Sequence, residues 1–198
     1  VHFNHGFRAA SAEEESFVQR ICEGEAVPCH VVRADAVDGN ALQLDQHAAG
    51  QRGVQAGSRR WRRQHLFRIS KEVQEQAPDR QVFVAAAHHQ DDQMETLLLK
   101  ILRGVHLTNV HGMRYRTPLT ASDAANQGDA RSADSFPLVR PLLGVRKQEL
   151  VEFMEEAGFE WREDESNHDT DSGYLRNRIR NELLPLLRDI SPGGDQGL

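Results

Sequence analysis

The chain has 198 residues, a formal net charge of −6, 38% hydrophobic and 27% charged residues. That is the make-up of a soluble globular protein long enough to bury a real core. The acidic balance excludes a uniformly basic nucleic-acid binder. No apolar run approaches the roughly 20 residues needed to span a bilayer, which argues against a membrane partner.

In chain order, Val1 to Arg8 (VHFNHGFR) predicts a short strand and a glycine turn. Ser11 to Glu14 has a capping-box pattern, and a helix to about Glu25 follows, with Phe17, Val18 and Ile21 as its apolar stripe. Pro28 stops it, and Cys29 to Arg33 reads as a second strand. This is a β-α-β unit, which implies a parallel pair with a right-handed crossover. Cys22 and Cys29 lack CxxC spacing and read as two reduced thiols. Residues 35–53 show no period and read as a loop or insertion. A helix is expected from Val54 to about Gln76, with Trp61, Leu66, Ile69 and Val73 facing inward.

The charge distribution is uneven. Between Asp45 and Glu72 there is no acidic residue, yet the interval holds Arg52, Arg59, Arg60, Arg62, Arg63, Arg68 and Lys71. Arg176, Arg178 and Arg180 form a second cluster. Such patches on an acidic protein suit local phosphate contacts; a solvated helix face is the alternative.

The chain is organised around Val82 to Gly104. Val82 to Ala87 reads as a buried strand, His88-His89-Gln90-Asp91-Asp92 as a turn, and Asp92 to Arg103 as a helix. Met94, Leu97, Leu98, Ile101 and Leu102 supply the helical stripe. Asp92 with Glu95 resembles a capping box, and Gly104 a stop. This arrangement places two His and two Asp at the C-terminal edge of a sheet, where open α/β folds bind ligands. By residue type the cluster could bind a divalent metal, act in acid–base chemistry, or simply suit the helix dipole. One Asp is expected to cap the helix while the other faces the site.

Further on, 105–117 reads as a loop and 119–135 as a surface insertion poor in large apolar residues. Phe136 to Leu143 (FPLVRPLL) is a short extended piece, and Arg146 to Ala157 a helix with Leu150, Val151, Phe153 and Met154 inward. An acidic loop from Trp161 to Ser172 leads to a last helix, Gly173 to Asp189, kinked at Pro185, and to a disordered tail at 191–198.

The motif order HFNHGFR, QAGSRRWRRQHLF, AAHHQDDQMETLLLKILRG, HGM, LVRPLL, WREDESN and YLRNRIRNELLPLL resembles the tRNA(Ile)-lysidine synthetase family of N-type ATP pyrophosphatases. The likeness covers most of the chain except 35–53 and 119–135. It implies a Rossmann-like α/β domain over 1–190, of the adenine nucleotide alpha hydrolase-like type, with a parallel sheet and flanking helices. It implies that ATP and Mg2+ activate the C2 oxygen of the wobble cytidine of tRNA(Ile) with a CAU anticodon. Free L-lysine then displaces AMP. Carried over residue by residue, His88, Asp92, Glu95 and Arg180 would be catalytic, and Asp92 would meet the magnesium. Asn4, His5, Arg8, His89, Asp91, Arg176, Asn177 and Arg178 would bind ATP or substrate. Arg59, Arg60, Arg62 and Arg63 would meet the tRNA. The family allows a homodimer and a setting in bacterial cytoplasm or plastid stroma.

The sequence departs from the family in two ways: the C-terminal tRNA-binding domains of many members are missing, and it contains no SGGxDS loop after a first strand. Ser191 to Asp195 (SPGGD) only resembles one, because it follows a helix. The chain is therefore expected to be an N-terminally truncated catalytic domain, lacking the central first strand and inactive by itself. A tRNA cytidine thiolase, a non-catalytic RNA-binding remnant and a metal-dependent hydrolase built on HHQDD are the competing readings.

Overall fold

Strand β1 (His2–Asn4) and strand β2 (Val31–Arg33) pair in parallel, with His2 opposite Val31 and Asn4 opposite Arg33. Helix α1 (Ser11–Gly24) connects them, giving the expected β-α-β unit. The structure, a computed structural model, describes residues 1–5, 11–34, 51–120, 135–162 and 175–190. Arg8, most of the stretch read as an insertion at 35–53, the acidic loop beyond residue 162 and the tail at 191–198 lie outside them.

Helix α1 ends through Ala26, whose φ of 53° is left-handed. The Val27 N–H then bonds the Cys22 carbonyl at 2.8 Å, turning the chain back ahead of Pro28. That cap position is usually glycine, since a Cβ there costs about 1 kcal/mol. Inside the β-α-β unit, Glu15 is buried at 7% exposure and receives both Asn4 Nδ2, at 2.8 Å, and the Arg33 guanidinium. One carboxylate thus ties α1 to both strands.

Helix α2 (Gln51–Gln76) begins three residues before its expected start. Trp61, Phe67 and Ser70 are buried, while Val73, expected inside, is 37% exposed. Phe67 meets the Phe136 ring at 5.5 Å. The other sheet has the order β3-β5-β4, where β3 is Val84–Ala85, β4 Arg116–Thr120 and β5 Ser135–Val139. Strand β3 is thus much shorter than the predicted Val82–Ala87. Strand β4 runs into the stretch read as an insertion from 119: Leu119, at 0% exposure, is core. The remainder, 121–134, lies outside the described residues.

The chain divides into two compact units, Val1–Val84 with Pro118–Pro137, and Ala85–Thr117 with Leu138–Leu198. The second contains helix α3 (Gln90–Leu102), a 3-10 turn (Leu107–Asn109), helix α4 (Lys147–Glu156) and helix α5 (Leu175–Arg178). A π turn (Ile179–Leu183) then leads into helix α6 (Leu184–Ile190). Gly104 and Gly158, both at φ +70°, end α3 and α4 in the conformation glycine tolerates best. Met94, Ile179 and Leu184 form a buried cluster ringed by Leu98, Leu99 and Leu183. Ile101, Leu102 and Phe153, all expected inward, are more than half exposed.

The π turn has a cause in the sequence. Pro185 has no N–H and its ring would strike the carbonyl four residues earlier in a regular helix. The backbone widens just ahead of it, and the Leu184 N–H reaches back five residues to the Ile179 carbonyl.

Candidate functional site

In the second unit, four side chains from the first turn and a half of α3 reach different sets of partners, with Arg180 shared by Asp92 and Glu95. Helix α3 starts at Gln90, so the cap is His89, in extended backbone, rather than Asp92. Asp92 sits at the third helical position, where its carboxylate accepts the His89 N–H at 3.1 Å. This is half of a capping box, shifted three residues upstream of the expected Asp92–Glu95 pair. Asp92 Oδ2 also lies 3.5 Å from His89 Nε2, and Oδ1 3.9 Å from Arg180 Nη2.

Asp91 turns elsewhere. It accepts Arg188 Nη2 at 2.9 Å and the Lys147 N–H at the start of α4 at 3.3 Å. Burial alone would raise its pKa. The Arg188 hydrogen bond, the Lys147 N–H and the Arg188 charge outweigh that, and the carboxyl is held below its ordinary value. Asp91, expected to bind substrate, is therefore committed to joining α3, α4 and α6.

Glu95 is the centre of the cluster. It is fully buried, and its two oxygens each accept an arginine Nε at 2.6 Å: Arg176 on Oε2 and Arg180 on Oε1. A buried carboxylate is tolerable only when paired and hydrogen-bonded, and here two cations satisfy it. The arginine side chains remain 42% and 28% exposed, so they are fixed at one end and reach solvent at the other. His88 and His89 are half-buried in the turn before the helix. His89 Nδ1 is buried with no hydrogen-bond partner among the described residues.

Gln93 has a task that sequence reading missed. Its amide donates to the Met113 carbonyl at 2.9 Å and accepts the Met113 N–H. Lys100, seven residues along α3, donates to the carbonyls of His111, at 2.8 Å, and Asn109, at 3.3 Å. A Cβ on Gly112 would lie 2.4 Å from the Gln93 amide carbon, so any larger residue here would have to displace that amide.

The other expected residues have their own surroundings. Arg178 is exposed and pairs with Glu182 one turn on, at 3.0 Å. Asn177 is half-buried. In the first unit, the Asn4 amide is spent on Glu15 and the Ser11 carbonyl. His5 packs on the Trp61 ring at 4.8 Å. Burial, then the charges of Arg62 and His2, lower its pKa, so it is neutral at pH 7. Arg59, Arg60 and Arg62 are exposed on α2, and Arg63 Nη2 is 3.4 Å from the Pro118 carbonyl.

Among the described residues no group of three His, Cys, Asp or Glu could hold a metal ion. Asp92 accepts the His89 N–H on Oδ2 and faces Arg180 with Oδ1. Guanidinium and imidazole groups with an unsatisfied buried nitrogen suit a phosphate better. No helix among the described residues is long and apolar enough to cross a membrane.

Comparison with known proteins agrees with the motif order. A family model described as the PP-loop domain matches residues 1–187. The chain is 31% identical over 192 residues to the tRNA(Ile)-lysidine synthase of Enterococcus faecalis, covering 97% of this chain and 34% of that protein. It is 31% identical over 195 residues to that of Bacillus subtilis, covering 97% and 35%. It is 35% identical over 191 residues to that of Novosphingobium aromaticivorans, covering 96% and 49%. The chain thus spans between a third and a half of the length of these relatives. With an α/β fold, a parallel strand pair and a match over nearly its whole length, the chain belongs to the PP-loop domain family.

Proposed function

We propose that this chain forms part of the catalytic domain of a tRNA(Ile)-lysidine synthase, which joins lysine to C2 of the wobble cytidine in an ATP-dependent reaction. The observation that carries the reading is the Glu95 clamp, which sets Arg176 and Arg180 beside the His88–Asp92 turn. The shared name of the relatives supports it.

ATP, when bound, supplies the adenylyl group that turns the cytidine C2 oxygen into a leaving group. The chain's part is positioning and charge. Arg176 and Arg180 are held rigid by Glu95, so their exposed ends can meet phosphate oxygens without a large ordering cost. His89, with its unsatisfied Nδ1, can bond a substrate oxygen or take a proton from the lysine amine. His88 borders the same turn. Asp92 faces Arg180 and is the carboxylate that would receive an ammonium group or approach a magnesium ion carried in on the nucleotide. The bacterial relatives favour a cytoplasmic setting over a plastid.

The test is transfer of labelled lysine to a tRNA(Ile) transcript with a CAU anticodon, using the complete gene product that contains these residues. Label retained in the RNA only when ATP is present is the expected result. A folded gene product that incorporates no lysine refutes the reading.

A further inference from the structure

From Thr96 through Ser122 the sequence has no Asp or Glu, yet it holds Lys100, Arg103, Arg114 and Arg116, with His106 and His111 between them. This is a second acid-free interval on an acidic chain, and its basic residues all lie in the second unit. Its geometry is unusual. The segment after α3 is docked by its backbone: Lys100 holds the carbonyls of Asn109 and His111, Gln93 holds both polar groups of Met113, and Arg140 Nη1 holds the Arg114 carbonyl at 2.8 Å. Docking therefore uses few of the segment's side chains. Arg103, His106, His111, Arg114 and Arg116 all stand exposed, and the Tyr115 side chain is 61% exposed. Among the described residues neither Arg103 nor Arg114 has an ion-pair partner.

Unpaired guanidiniums beside an exposed aromatic ring suit single-stranded RNA, whose phosphates take the cations and whose bases stack. We propose that residues 100–116 form an RNA-docking surface on which Arg103 and Arg114 contact phosphates and Tyr115 stacks an unpaired base. The segment folds back along α3, with His111 beside Lys100 and Met113 beside Gln93. Arg103 and Arg114 therefore mark positions about 15 Å apart along that helix, a span of several nucleotides. A strand laid on this surface runs toward Asp92 and Glu95. In assigning tRNA as the RNA, this surface rests on the function proposed above; its affinity for RNA does not depend on the reaction.

The test is fluorescence anisotropy with a labelled tRNA(Ile) anticodon stem-loop over a potassium chloride series. Thermal melts confirm that each variant is folded. The double variant R103Q/R114Q should bind about tenfold or more weakly, with a salt slope reduced by about 1 for each phosphate that is no longer neutralised. R103K/R114K should keep most of the slope. Y115A should weaken binding severalfold and leave the slope unchanged. A wild-type Kd and salt slope for R103Q/R114Q overturns the proposal. So does a loss confined to phosphatidylserine vesicles or an acidic peptide with RNA binding intact. A gene product that binds RNA through Arg103 and Arg114 but transfers no lysine upholds this surface and refutes the enzymatic reading.

Discussion

Replacing Glu95 by glutamine tests the centre of the site with a change of one atom. In the structure each carboxylate oxygen accepts one Nε–H, from Arg176 and Arg180, both at 2.6 Å. Hydrogen bonds to charged groups contribute about 1.5–3 kcal/mol each. The 42% and 28% exposure of the arginine side chains argues for the low end, about 3 kcal/mol for the pair. Glutamine keeps one acceptor but turns an NH2 toward the other Nε–H, so its shape matches while its hydrogen-bonding does not. At about 2–4 °C per kcal/mol for a chain of this size, Glu95→Gln should lower the Tm by about 6–12 °C. The measurement is thermal unfolding followed by circular dichroism at low and high salt. The loss should persist at high salt, because Glu95 is fully buried and poorly screened. A fall of less than about 2 °C would show that the clamp does not hold the arginines as described.

Other outcomes follow from the same contacts. Gly112→Ala should push the Gln93 amide off Met113 and cost about 1–2 kcal/mol, yet cost little in a Gln93→Ala background; additive losses in urea unfolding would refute the coupling. Asp91 has its pKa lowered in the folded state, so its stabilisation is present above the unfolded value of about 3.9 and is lost as pH falls through the folded value. Asp91→Asn should therefore lower the Tm at pH 7, and the gap from wild type should close as the pH is taken below about 4; a gap independent of pH contradicts the pairing with Arg188. Ala26→Gly should stabilise the protein by up to about 1 kcal/mol by relieving the left-handed cap, which a shift in the urea midpoint reads directly. Arg178→Ala should leave the urea midpoint unchanged within the error of the measurement, since its partner Glu182 is also exposed and the pair is screened by solvent.

Local pattern carried much of this molecule. The β-α-β start, the glycine stop of α3 and the stripe of Met94 and Leu98 follow from periodicity and turn chemistry, and all are present. Motif order pointed to the family. What escaped was whatever depends on partners far apart in sequence. Asp91 and Asp92 are chemically alike, and only Arg188 and the His89 N–H separate their roles. The cap fell on His89 because Asp92, three residues later, could reach back to its N–H; Glu95 was needed by the arginines instead. Leu119 was hidden because the Ala-, Asp- and Asn-rich text that follows it masked the end of β4. Gln93 gave no signal at all, since a glutamine on a helix face looks like solvent-exposed polarity until Met113 is seen against it.

The widened turn at Ile179–Leu183 also sets the angular phase of the last helix. In a regular helix Arg180 and Arg188, eight residues apart, would point about 80° away from each other at about 100° per residue. One extra residue absorbed in a π bulge brings that to roughly 20°. The same correction lets Ile179 and Leu184 share the face that meets Met94. Arg176 ahead of the bulge and Arg180 within it then grip α3 through Glu95, and Arg188 beyond it through Asp91. The segment should accordingly resist an added residue more than a changed one. Gain of a single codon here would swing Arg188 off Asp91 by about 100°, while loss of one would remove the bulge and keep the phase; most substitutions at the exposed position of Glu182 would also leave it untouched.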